Sequence, residues 1–87
     1  MRIVLSPKAE KILSKLPKID QIAIFRKIRL IPNIESIQNE EKLKGFQNIY
    51  RIRIGDYRIV YRKTSSEIYI VLIGHRKEIY DLLKQLF

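Results

Sequence analysis

The 87-residue chain predicts an α+β fold of order β-α-α-β-β-β-α, an antiparallel sheet with a helical hairpin on one face. Three observations predict it. Two early segments repeat apolar residues with helical spacing, and each is closed by a proline. Alternation in Ile49–Ile54 puts side chains on opposite faces with a period of two, and Gly55-Asp56 then separates two β-rich runs. A wholly apolar run, Ile68–Ile73, is then followed by a last helical stripe.

Met1–Leu5 reads as a short strand. Ser6 is placed to cap a helix, with Pro7 at the first helical position, where a missing N–H costs nothing. Ala9, Ile12, Leu13 and Leu16 fall on one face before Pro17 ends the helix. A second helix is predicted over Asp20–Ile31. Ile24, Phe25, Ile28 and Ile31 form its buried side, Arg26, Lys27 and Arg29 its outer side, and Pro32 its stop. Asn33–Glu41 reads as a polar loop whose acids Glu35, Glu40 and Glu41 set it apart from the basic segment that follows.

Gly55-Asp56 is a two-residue hairpin turn with glycine at the first central position. That turn places Ile54 opposite Tyr57, Arg53 opposite Arg58, Ile52 opposite Ile59, Arg51 opposite Val60 and Tyr50 opposite Tyr61. One face then carries Tyr50, Ile52, Ile54, Tyr57, Ile59 and Tyr61, which reads as core. The other carries Arg51, Arg53, Arg58 and Arg62, with Ile49 and Val60 among them. After a Thr64-Ser65-Ser66 turn, Ile68–Ile73 is apolar on both sides and suits the middle of the sheet. Gly74 is expected to break it, and Lys77–Leu86 closes the chain as a helix with Ile79, Leu82, Leu83 and Leu86 inward. With all helices on one face, the arginine face is expected to stay open.

Length and composition set the class. Residues 1–87 are read as a single domain, large enough for one thin core. The absence of cysteine excludes a disulfide framework and thiolate metal sites, and one histidine gives no zinc cluster. No metal or other cofactor is expected. The longest apolar stretch is far too short to span a bilayer, and the N-terminus reads as a strand rather than a signal peptide. A cytoplasmic setting without membrane contact is expected.

Lys and Arg number 18 against 9 Asp and Glu, a formal charge of +9 that attracts polyanions. The excess is local: residues 42–63 hold seven basic groups and one acid, Asp56. Arginine dominates the strands, and its planar fork suits phosphate better than the point charge of lysine. Arg53 directly opposite Arg58 breaks the rule against like charges across strands, and such breaks mark functional sites. The simplest ligand relieving that repulsion is a phosphate.

Leu43-Lys44-Gly45, the run Tyr50-Arg51-Ile52-Arg53-Ile54-Gly55-Asp56-Tyr57-Arg58-Ile59-Val60-Tyr61, and Gly74-His75-Arg76-Lys77-Glu78-Ile79-Tyr80 resemble the RelE/ParE superfamily of type II toxin–antitoxin toxins. Leu5-Ser6-Pro7-Lys8-Ala9 and Leu16-Pro17 extend the resemblance over essentially the whole chain. It implies a microbial-ribonuclease-like fold, a monomeric toxin and a cognate acidic antitoxin that wraps it. In the RelE-like branch it implies metal-free cleavage of mRNA in the ribosomal A site. The ParE-like branch lacks the ribonuclease residues and inhibits DNA gyrase. By the resemblance Arg58 grips the scissile phosphate, Arg76 steadies the transition state, and Tyr80 stacks on a base or orients the nucleophile. Arg51 and Arg53 stand where some RelE-like toxins carry lysines. Counterparts at all five positions favour the RelE-like branch.

Such cleavage uses the neighbouring 2′-hydroxyl as nucleophile and needs a base, a proton donor and cations around the phosphorane. Arginine stays protonated and cannot be the base. His75 is the first replacement, Tyr80 and Glu78 the others. Lys42, Lys44 and Arg62 are expected along the RNA backbone. A ParE-like gyrase inhibitor and a non-catalytic basic RNA-binding module remain the alternatives.

Overall fold

The computed structural model describes residues 2–33 and 40–86. Strand β1 (Arg2–Leu5) leads into helices α1 (Pro7–Lys15) and α2 (Lys18–Leu30) and a short 3-10 turn, Ile31–Asn33. Strands β2 (Glu41–Lys42), β3 (Ile49–Ile54), β4 (Tyr57–Lys63) and β5 (Glu67–His75) follow, and helix α3 (Ile79–Leu86) closes the chain. The result is the α+β architecture expected, with a five-stranded sheet in the order β1-β5-β4-β3-β2. β1 runs parallel to β5, and every other neighbouring pair is antiparallel.

Ser6 performs the strand-to-helix handover. Its hydroxyl accepts from the Ala9 N–H at 3.0 Å, as a cap should, and donates to the Val71 carbonyl at 2.8 Å. Those bonds matter because β5 is irregular there: Val60 pairs with Leu72 while Tyr61 pairs with Ile70, leaving Val71 as an extra residue. In α2 the buried residues are Ile24 and Ile28, and Ile31 follows them inward. Phe25 is instead 48% exposed, since a one-residue step turns it about 100° off that stripe.

The β3–β4 register is the one the turn chemistry predicts, Arg53 opposite Arg58 and Tyr50 opposite Tyr61. Gly55 has φ 56°, the left-handed value a turn of this kind asks of its first central residue. The main core joins Ile52, Ile59, Tyr61, Ile68, Ile70 and Ile73 of the sheet to Ala9, Leu13, Ile24 and Ile28 of α1 and α2.

Four expectations are corrected. The arginine face is not wholly open: Ile49, Val60 and Leu72 lie on it, and α3 covers them with Ile79 to make a second, smaller core. Gly74 does not break β5 but pairs with Arg58 inside it. A Cβ on Gly74 would stand 3.0 Å from Ile79 Cδ1 and 3.3 Å from Leu82 Cδ1, so glycine lets α3 sit directly on the strand. Arg76, Lys77 and Glu78 form a turn, and α3 starts only at Ile79. Of the predicted 33–41 loop, residues 34–39 lie outside the described residues, and Glu41 is part of a strand.

Candidate active site

Arg51, Arg53 and Arg58 line one small pocket of about 150 Å³, and Glu41 completes it. The ladders explain the gathering. Arg53 and Arg58 face each other across β3–β4, and Glu41 faces Arg51 across β2–β3. Residues directly opposite in antiparallel strands share a face. Glu41 was expected to stay apart from the basic residues, and the structure corrects that.

Arg51 is the organising side chain. Nη2 forms an ion pair with the Glu41 carboxylate and Nη1 donates to the Tyr80 hydroxyl, so three elements, β2, β3 and α3, meet on one guanidinium. Its side chain is only 17% exposed, against 64% for Glu41. Arg58 is half-buried and donates from Nη1 to the Tyr57 carbonyl at 3.2 Å, while Arg53 is exposed. Among the described residues neither Arg53 nor Arg58 has a carboxylate within ion-pairing distance. Among the described residues, two guanidinium groups of this pocket therefore stand without counter-ions.

On the other side of the sheet, Glu40 is fastened in turn. The Tyr61 hydroxyl donates to its carboxylate, and Lys63 Nζ lies 3.4 Å from the same group and 4.6 Å from the centre of the Tyr50 ring. Burial, then the bond to Glu40, pushes the Tyr61 phenol well above its ordinary pKa. With Glu40 held on the tyrosine side, strand alternation turns Glu41 to the arginine side.

The remaining candidates are dispersed. Arg76 does not line the pocket: its N–H donates to the Asp56 carbonyl at 2.7 Å and Nε lies 3.7 Å from the Asp56 carboxylate, at the hairpin tip. Arg62 sits over the Tyr69 ring at 5.2 Å, on the far side of the buried Val60. Lys42 pairs with Tyr50 and so faces away from Glu41, and Lys44 is exposed in the connection between β2 and β3. His75 is not brought to the arginines. Because β5 continues through Gly74, His75 lies opposite Tyr57 on the tyrosine side, the rings edge to face at 6.0 Å. Its Nδ1 accepts from the Lys77 N–H at 3.2 Å. Glu78 donates its N–H to the His75 carbonyl at 2.9 Å and also stays outside the pocket.

Glu41 is thus the residue that sequence reasoning missed. The available signal was the Glu40-Glu41-Lys42-Leu43 segment immediately before a turn-forming Lys44-Gly45, a strand too short to show its period. Among the described residues no three His, Cys, Asp or Glu side chains are grouped to hold a metal ion. No described helix is long and apolar enough to cross a membrane.

The family described as the ParE toxin of type II toxin–antitoxin system, parDE, matches residues 3–80, and the chain belongs to it. Toxin RelE3 of Methanocaldococcus jannaschii is 40% identical over 68 residues, 67% of this chain and 75% of that one. The crystal structure of the RelB-RelE antitoxin–toxin complex from Methanococcus jannaschii contains a chain that superimposes with a TM-score of 0.74 at 30% identity, covering 91% of this chain and 96% of that one. The isolated Escherichia coli RelE toxin shares the fold, with a TM-score of 0.74 at 22% identity and coverage of 99% and 98%.

Proposed function

We propose that this toxin is a ribosome-dependent endoribonuclease that cleaves mRNA without a metal, using the 2′-hydroxyl beside the scissile linkage. The observation that carries the reading is the convergence of Arg51, Arg53, Arg58 and Glu41 on one pocket. Arg53 and Arg58, which lack carboxylate partners among the described residues, hold the non-bridging phosphate oxygens. Their charge counts for most when the phosphorane carries its extra negative charge. Glu41 takes the 2′-hydroxyl proton, a task no guanidinium performs. The Tyr80 hydroxyl, held by Arg51, supplies a proton to the departing 5′-oxygen. The products are a 2′,3′-cyclic phosphate and a 5′-hydroxyl, and solvent resets both groups. Arg76 stands at the hairpin tip, where it steers RNA toward the pocket.

Purified toxin added to programmed ribosomes tests this, with toeprinting and analysis of the new 3′ ends. The expected result is cleavage within the A-site codon, slowed about 10²- to 10⁴-fold by Glu41→Gln. Intact mRNA at saturating toxin overturns it. Membership of a family described as ParE favours one second reading, inhibition of DNA gyrase. Loss of supercoiling with mRNA intact would select that branch. The archaeal relatives from M. jannaschii and Pyrococcus horikoshii form complexes with RelB. We infer for this cytoplasmic toxin an acidic antitoxin of its own, one that covers the arginine pocket or displaces α3.

A further inference from the structure

Between α1 and α3, at the end of β5, runs a groove of about 560 Å³ that the cleavage chemistry does not use. Lys8, Lys11 and Lys15 of α1 line it together with Tyr57, Gly74 and His75. The three lysines stand at i, i+3 and i+7, one face of the helix over about 10 Å. Glu78 is the one carboxylate at the groove, and none of the three lysines lies within ion-pairing distance of any carboxylate among the described residues. Like charges so spaced on a helix repel one another, as the paired arginines do across the hairpin. The groove floor is apolar, from Ile12, Leu16 and Leu82, and its end carries the edge-to-face rings of Tyr57 and His75.

Gly74 lines the groove and is also the cross-strand partner of Arg58, with Ile79 and Leu82 of α3 packed over it. The two cationic regions therefore share one rung of the β4–β5 ladder, with α3 standing between them. His75 fits the same purpose. With Nδ1 accepting from Lys77, the neutral ring carries its proton on Nε2, a donor for an anion. Cations along one wall, stackable rings at one end and an apolar floor are the components of a single-stranded nucleic-acid channel.

We infer that the α1–α3 groove is a second RNA-binding track, holding the single strand beyond the linkage seated in the arginine pocket. The inference rests on the reading of that pocket as an RNA site, and its test separates the two. Fluorescence anisotropy with a tetranucleotide and a dodecanucleotide, over a range of salt, is run on wild type, on the triple variant Lys8→Gln/Lys11→Gln/Lys15→Gln, and on Arg58→Ala. Glutamine keeps the helix propensity of lysine, and the corresponding triple arginine variant should behave as wild type.

For the dodecanucleotide, losing three phosphate contacts flattens the slope of log Kobs against log salt by about 2. Between about 50 and 200 mM salt the wild type then loses about twentyfold more affinity than the triple variant. Tetranucleotide binding, confined to the pocket, keeps its slope. An unchanged dodecanucleotide slope overturns the track, and so does an equal change at both lengths, which marks a general field effect. Loss of binding to an acidic peptide, with RNA slopes unchanged, assigns the groove to a protein and likewise overturns it. Unaltered tetranucleotide binding by Arg58→Ala instead refutes the pocket reading, whatever the lysines do.

Discussion

The two faces of the β3–β4 hairpin come from a single alternating sequence, yet they are finished differently. On the tyrosine face Ile52, Ile59 and Tyr61 are wholly buried under α1 and α2. Two of its phenols are paired there, Tyr61 with Glu40 and Tyr57 with Asp20 at 3.1 Å. On the arginine face α3 covers Ile49 and Val60, but Arg53 lies exposed and Arg58 half-exposed, without counter-ions among the described residues. The difference separates a closed, core-forming face from an open, cationic one by residue parity. Odd and even positions of the same strand answer to different pressures, and the border on the arginine side is drawn by where α3 ends its cover.

Substitutions on either face should break or sharpen that division. Ile59→Ala, on the closed face, should lower unfolding free energy by about 2–5 kcal/mol in urea titration, leaving the cleavage rate of the folded fraction near wild type. A rate loss as large as that of a pocket variant would erase the contrast. Arg58→Ala should do the reverse. Cleavage on ribosomes should fall about 10²- to 10³-fold, with unfolding free energy within about 1 kcal/mol of wild type. The smallest effect is expected from Arg53→Thr, which removes one side of the repelling pair. A gain of about 0.2–1 kcal/mol in stability, together with weaker RNA binding by anisotropy, would show that the pair is kept for its ligand.

The hairpin was readable because its period of two and its Gly55-Asp56 turn agree with each other. Position 55 needs positive φ, and glycine supplies it. The arginine pocket followed from the same parity. What escaped were features set by distant contacts. The β2 strand has two residues, so Glu41 carries no periodic signal; its face is decided by Tyr61 and Lys63 holding Glu40 from twenty residues away and more. The stripe Ile79, Leu82, Leu83 announces a helix but not which side of a sheet it packs on. That choice is made by the Arg76–Glu78 turn and by Gly74, whose missing side chain admits Ile79 on the arginine side. His75 went astray for the same reason, since a strand that ran one residue past Gly74 reversed its side.

The second core has a mechanical consequence. α3 is held to the sheet by Ile79 over Ile49, Val60 and Leu72, with Leu82 and Leu83 packed around them and Tyr80 hooked to Arg51. None of the main cluster passes through it. The last helix therefore rests on a core of its own, apart from the main cluster, and the arginine that ties it down is the same one that arranges the pocket. Any shift of α3 away from the sheet would break the Arg51–Tyr80 bond and so move a wall of the arginine pocket.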